Sequence, residues 1–227
     1  MAAMAGETCS NLPAEIWEFI FNYFNGDNST LNSLSIVCKQ FLSITDRLRF
    51  SSLTITDQTL PFLHPRLFRR FPDLTSLNLI LSFETDYFNA LLTKISTFPN
   101  LSNIKSLRLS NPNTDFPTYG LQALSEKITN LTSLTCSRMF YIHKNDLFFI
   151  ADRFPLLEEL NLGYMLHDDD DDGGDQLLPL PKLRKINLSG SYYSQSIRYL
   201  CCKNCELLQE VIVKEWISRR KKRITFR

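Results

Sequence analysis

Ile104-Lys105-Ser106-Leu107-Arg108-Leu109 decides the fold, because it is one copy of a phrase that recurs along the chain. Apolar residues at its first, fourth and sixth positions return as Leu74-x-x-Leu77-x-Leu79, Leu131-x-x-Leu134-x-Cys136 and Leu157-x-x-Leu160-x-Leu162. They return again as Leu183-x-x-Ile186-x-Leu188 and Leu208-x-x-Val211-x-Val213, and a weaker copy, Phe50-x-x-Leu53-x-Ile55, comes first. The copies start at positions 50, 74, 104, 131, 157, 183 and 208, so the steps are 24, 30, 27, 26, 26 and 25 residues. A steady beat of this size marks a chain built from one repeated supersecondary unit.

Between the phrases runs a second pattern. Phe88, Leu91, Ile95 and Phe98 fall on one helical face, as do Leu121, Leu124, Ile128 and Leu131, and then Leu147, Ile150, Phe154 and Leu157. Pro72, Pro155 and Pro181 stand two residues before a phrase and Pro99 five, where proline disfavours helix in the residue ahead of it. The unit is strand, turn, helix, loop. One unit buries its apolar faces only in part, and stacked neighbours close a continuous core. The expectation is an α/β chain whose residues 50–216 form about seven leucine-rich repeats. They would make a short right-handed solenoid with a curved parallel sheet and helices on the convex side. Such repeats often place Asn or Cys eight residues after the first apolar position; here stand Ser82, Pro112, Met139, Met165, Ser191 and Trp216. Residues 168–179, with their run of aspartates, read as a solvated insertion.

Residues 11–49 do not fit the beat. Asn11, Pro13 and Glu15 suit a helix start. At 100° per residue, the apolar residues from Leu12 to Phe24 cover an arc of roughly 200°, about twice what a surface helix needs. The surplus asks for a second packing partner. Gly26 to Ser29 form a turn and a new helix start. Leu31, Leu34, Cys38 and Phe41 then mark the inner face of a second helix, and Phe41, Ile44, Thr45 and Leu48 suggest a third. Residues 1–10 are expected as a flexible N-terminus and residues 217–227 as a basic tail.

Leu12-Pro13-x-Glu15-Ile16-x-x-x-Ile20-Phe21, followed by Leu34-Ser35-x-Val37-Cys38-Lys39-x-Phe41, resembles an F-box. Joined to the repeats, the whole chain is similar to plant F-box/leucine-rich-repeat proteins. The resemblance implies a three-helix F-box that binds the Skp-type adaptor of an SCF ubiquitin ligase, and through it cullin and RING subunits. It implies repeats that hold a target for ubiquitination and proteasomal degradation, with no catalytic residue in this chain. Carried over position by position, the adaptor surface would use Leu12, Pro13, Ile16, Ile20, Leu34, Val37, Lys39 and Phe41. The alternatives are a repeat protein or decoy that binds a partner without recruiting a ligase, for which shortness of the array argues, and a small-molecule receptor.

In each strand the residues between the core positions face the concave side. Ser76, Asn78, Ser106, Arg108, Ser133, Thr135, Glu159, Asn161, Lys185, Asn187, Glu210 and Ile212 form this expected target surface. It is polar, mixed in sign and poor in aromatics, and Arg108 is its one residue of a type favoured at interface hot spots.

Composition closes off other classes. Net charge is +1, so nothing draws the whole chain to nucleic acid or an anionic membrane. No run of 18 apolar residues and no secretory leader is visible, so a cytoplasmic or nuclear setting is expected, with the six cysteines as free thiols. Cys201-Cys202-x-x-Cys205 lacks a fourth ligand nearby, the three histidines lying far off at 64, 143 and 167, so no metal or cofactor is expected. Asp168–Asp172 lacks the alternating ligands of a calcium loop. Arg219–Arg223 resembles an import patch or a polyanion contact.

Overall fold

The structure is a computed structural model. It describes residues 12–24, 28–49, 51–142, 144–162, 166–167, 180–187, 205–214 and 221–225. The acidic insertion, the N-terminal ten residues, Cys201 and Cys202 lie outside the described residues. The chain divides into two compact units, Met1–Leu53 and Thr54–Arg227.

The first unit holds three helices, α1 (Ala14–Asn22), α2 (Asn28–Ser35) and α3 (Lys39–Arg49). The Pro13 carbonyl opens α1 by accepting from the Ile16 and Trp17 amides. Phe21, Leu31, Phe41, Ile44 and Leu48 form the core, with Trp17, Ile20, Leu34 and Cys38 packed on it half-buried. Its aromatic centre is tight: the Trp17 and Phe41 rings lie 4.7 Å apart, and Phe21 and Phe41 meet edge to face at 4.8 Å. An ion pair of 3.2 Å between Arg47 and Glu18 links α3 to α1 at the surface.

The inner face expected of one helix from Leu31 to Phe41 is divided between two. α2 stops at Ser35, and Cys38 and Phe41 serve α3. The Cys38 Sγ accepts from the Phe41 amide at 3.4 Å, where the unpaired amides of a helix's first turn need acceptors. Thr45, fully buried on α3, donates its hydroxyl to the Phe41 carbonyl at 2.8 Å.

The second unit is built on an eight-stranded sheet, whose first strand begins two residues ahead of the boundary. In spatial order the strands are β1 (Ser52–Thr56), β2 (Ser76–Ile80), β3 (Ser106–Ser110), β4 (Ser133–Ser137), β6 (Glu159–Asn161), β8 (Lys185–Asn187), β9 (Glu210–Lys214) and β10 (Lys221–Thr225). Seven strands run parallel, and β10 turns back antiparallel on β9, with Arg223 opposite Ile212. Two short strands, β5 (Tyr141–Ile142) and β7 (Leu166–His167), pair in parallel beside the main sheet. Helices α4 (Pro65–Arg70), α5 (Thr85–Ser96), α6 (Thr118–Ser125) and α7 (Lys144–Arg153) lie between successive strands.

The sequence beat has a backbone counterpart. The carbonyl of Thr75 accepts from the amides of Lys105 and Ser106, that of Lys105 from Thr132 and Ser133, and that of Thr132 from Glu158 and Glu159. The carbonyl of Glu158 accepts from Arg184 and Lys185, and that of Arg184 from Gln209 and Glu210. One position in each of these five repeats thus holds the next repeat in register. Leu77, Leu107, Leu134, Leu160 and Ile186 stack in line behind the sheet, all at or near zero exposure. The helix stripes Phe88–Leu91–Ile95, Leu121–Leu124 and Leu147–Ile150 are buried against them.

Three local devices join neighbouring units. Asn111, fully buried, donates from Nδ2 to the Phe83 carbonyl at 2.9 Å and accepts from the Asn113 amide at 3.0 Å. Asp57 stands at the same place after β1 and accepts from the Ser82 amide at 3.1 Å. These two side chains satisfy turn backbone seven residues after the first apolar position, one residue ahead of the expected place. Gly120 lets α6 approach α5 closely: a Cβ there would sit 2.6 Å from the Leu92 Cβ. Instead the Gly120 amide donates to the Asn89 Oδ1 at 2.8 Å.

The C-terminal residues expected only as a basic tail include a strand, β10. Its five consecutive residue pairs with β9 come from main-chain bonding, which a run rich in lysine does not announce.

Candidate adaptor-docking surface

The roughly 200° apolar arc of α1 splits into two stripes with different fates. Trp17, Ile20 and Phe21 face the core of the unit. Ile16 and Phe19 on α1 and Tyr23 at its C-terminal cap recur at steps of 3 and 4, so they share a face beside the core-facing one, and Leu12 stands exposed just before the helix. That face is open: Ile16 is 45%, Phe19 63% and Tyr23 77% exposed. Phe19 and Tyr23 meet edge to face at 5.6 Å, an aromatic pair formed in water. At the corner between α2 and α3, Ile36 and Val37 are exposed as well, and Leu42 follows on α3.

Of the residues the motif pointed to, Leu12, Pro13, Ile16, Val37 and Lys39 are exposed. Ile20 and Leu34 are half-buried against the core. Phe41 is 6% exposed and is enclosed by Trp17 and Phe21, so its ring serves the core of the unit. Phe19, Tyr23 and Ile36 were passed over by the motif comparison. Phe19 and Tyr23 lie within the apolar arc, but hydrophobicity does not say which half of the arc the core takes.

A contiguous exposed apolar stripe on a unit this small is a liability in water and a docking surface with a partner. Large apolar side chains each contribute about 1.5–3 kcal/mol when fully buried. Three or four on one helix face supply enough to anchor a protein–protein contact.

The F-box domain family matches residues 9–53. The first unit is an F-box. Domains of this kind bind Skp-type adaptors in SCF complexes, which marks the chain in general as an adaptor-binding substrate receptor. No curated protein matches the chain.

In the second unit, the side chains expected to meet a target lie together on the open sheet face. Register aligns Ser76, Ser106, Ser133, Glu159, Lys185 and Glu210 in one row. It aligns Asn78, Arg108, Thr135, Asn161, Asn187 and Ile212 in the next. All but Ile212, which is buried, keep some exposure. Lys185 pairs with Glu210 at 3.6 Å, so the charges at that end are matched within the face.

No group of three or more His, Cys, Asp or Glu side chains that could hold a metal ion occurs among the described residues. No described helix is long and apolar enough to cross a membrane. Cys136 is fully buried behind β4, and burial, reinforced by the Asp146 carboxylate, pushes its thiol far above the ordinary range. Such a thiol is inert as a nucleophile. Asp146 itself accepts from the Thr118 hydroxyl at 3.0 Å, a contact that ties α7 to α6.

Proposed function

We propose that this chain is a substrate-recognition subunit of an SCF-type E3 ubiquitin ligase, with no catalytic step of its own. Its F-box docks the Skp-type adaptor, which connects it to cullin and RING subunits. Its second unit is a leucine-rich-repeat array that presents a target protein for ubiquitination. The observation that carries the reading is the exposed stripe Ile16–Phe19–Tyr23 along the helix that opens the F-box match, with Leu12 exposed just ahead of it. Leu12, Pro13, Ile16, Val37 and Lys39 supply the adaptor contact from the motif, and Phe19 and Tyr23 extend it.

Support for the repeat reading comes from the 24–30 residue beat and the carbonyl ladder that repeats with it. Asn111 and Asp57 take the turn-bonding role expected of such repeats. The target contacts are assigned to Ser76, Asn78, Ser106, Arg108, Thr135, Glu159, Asn161, Lys185 and Asn187, which share one face of a rigid sheet.

Co-expression with a Skp-type adaptor tests the docking half. The intact chain is expected to co-purify with the adaptor in equal amounts, and the Leu12→Ala/Pro13→Ala chain to lose it. Failure of the intact chain to co-purify would end the proposal. A target that is bound stably, with no adaptor present and no change in its lifetime, would favour a non-degradative binding protein instead.

A further inference from the structure

The open face of the sheet is not uniform. Arg108 stands at the centre of three adjacent strands, with Asn78 and Thr135 directly opposite it in register. Two residues back along the same strands lie Ser76, Ser106 and Ser133. Strands about 4.8 Å apart and side chains about 6.6 Å apart along a strand place these six within a field of roughly 10 by 7 Å. Five are uncharged hydrogen-bonding groups, and the sixth is an exposed guanidinium. Leu77, Leu107 and Leu134, buried between them in sequence, fix all three strands from behind.

The charges elsewhere on the face behave differently. Lys185 and Glu210 neutralise one another at 3.6 Å, and Arg184 and Glu158 pair at 3.7 Å close by. Arg108 has no ion pair among the described residues, and the six-residue field contains no carboxylate. A planar guanidinium offers a fork of donors that matches the two oxygens of a carboxylate or phosphate. The Ser and Thr hydroxyls around it can donate to the remaining oxygens.

We propose that this patch is an oxyanion subsite, which receives a phosphate or carboxylate carried on an extended segment of the target protein. The inference rests on reading the sheet as the target-binding face, and it names the group that the face recognises. Arg108 binds the oxyanion through its fork, while Ser106, Ser133 and Thr135 orient it. The flanking Glu159 row repels a second acidic group placed toward β6, so the segment must carry its charge near β3.

The test follows the Arg108 side-chain Nε–H signal by NMR in the full-length chain. Probes are inorganic phosphate, acetate, and Gly-Ser peptides carrying one phosphoserine, one glutamate or neither. The Arg108 signal is expected to shift saturably with at least one anion and with the matching peptide, and to ignore the neutral peptide. Arg108→Gln should weaken binding of that peptide roughly tenfold or more, and Arg108→Lys should restore part of it, since lysine keeps the charge and loses the fork. Response to phosphate and phosphoserine alone assigns a phosphorylated segment, whereas response to acetate and glutamate as well assigns an acidic one. Shifts no larger at Arg108 than at the exposed Arg66, or peptide binding unchanged in Arg108→Gln, would overturn the proposal. Adaptor co-purification by the same Arg108→Gln chain separates the two readings. If it persists while anion binding is absent, only the subsite falls. If it fails in the intact chain while the subsite responds, the ligase reading falls and the subsite stands.

Discussion

Replacing Gly120 by alanine should destabilise the second unit, although alanine is the better helix former. Gly120 is the third residue of α6, where exchange for alanine alone would stabilise by up to about 1 kcal/mol. Packing opposes that gain. The added Cβ would lie 2.6 Å from the Leu92 Cβ, 2.8 Å from its Cδ1 and 3.1 Å from the Asn89 carbonyl oxygen. Carbon atoms rest at about 3.5–4.0 Å, so α6 must withdraw from α5 by about 1 Å. Because the nearest atom is a Cβ and another is a backbone oxygen, no side-chain rotation relieves the clash. Overpacking of this kind costs about 1–3 kcal/mol. The same withdrawal stretches the 2.8 Å bond from the Gly120 amide to the Asn89 Oδ1 beyond bonding range, at a further cost of about 1 kcal/mol. The net expectation is a loss of about 1–3 kcal/mol, and thermal unfolding should fall by about 2–4 °C for each of these. Circular dichroism melts of both chains measure it. A Gly120→Ala chain equal to or more stable than the parent would refute the close approach of α5 and α6 and the register that requires it.

Two further perturbations probe other parts of the account. Phe41→Ala should cost about 3–5 kcal/mol, enough to unfold so small a core, and hydrogen exchange should show protection lost across α1 to α3. Unchanged protection would mean that Phe41 is not the keystone its burial indicates. Cys136 gives a pH signature: its thiol ionises near 9.0 in the unfolded chain but is held protonated when folded, by burial first and by Asp146 second. Its contribution is therefore constant below about pH 9, and above it stability falls by about 1.4 kcal/mol per pH unit as the unfolded chain alone sheds the proton. Urea titrations at pH 8 to 10.5 should show the intact chain losing stability faster than Cys136→Val, and parallel curves would contradict the buried thiol.

Much of the second unit is legible in the sequence because its signal is repeated. Leu77, Leu107 and Leu134 each announce a strand alone, and their common spacing announces the sheet that joins them. Asn111 escaped because the turn-bonding side chain depends on the path of a loop, and the 30-residue step to Ile104 shows how loop length varies here. β10 escaped because its stability lies in backbone bonds to β9, which basic side chains neither favour nor signal. The constraint at Gly120 has a sequence trace, a lone glycine inside a helical pattern.

The first unit was legible as a whole and ambiguous in detail. α1 is apolar on two faces, and hydrophobicity alone cannot rank them. Packing against α2 and α3 decides, drawing Trp17 and Phe21 inward and leaving Ile16, Phe19 and Tyr23 outside. Phe41 shows the same limit from the other side. A motif records which positions matter to a domain, but it does not separate those that touch a partner from those that hold the helices in place.

The most direct measurement is therefore adaptor affinity against fold integrity in one variant. Ile16→Asp/Phe19→Asp places two carboxylates on the exposed stripe and leaves Phe21, Leu31, Phe41, Ile44 and Leu48 untouched. Isothermal titration of the full chain with a Skp-type adaptor should show one-to-one binding by the parent and a loss of roughly thirtyfold or more in the variant, the scale of a hot-spot truncation. Exchange protection in α1 to α3 should be unchanged. Equal affinity in parent and variant, with that protection intact, would contradict the assignment of this stripe as the docking surface.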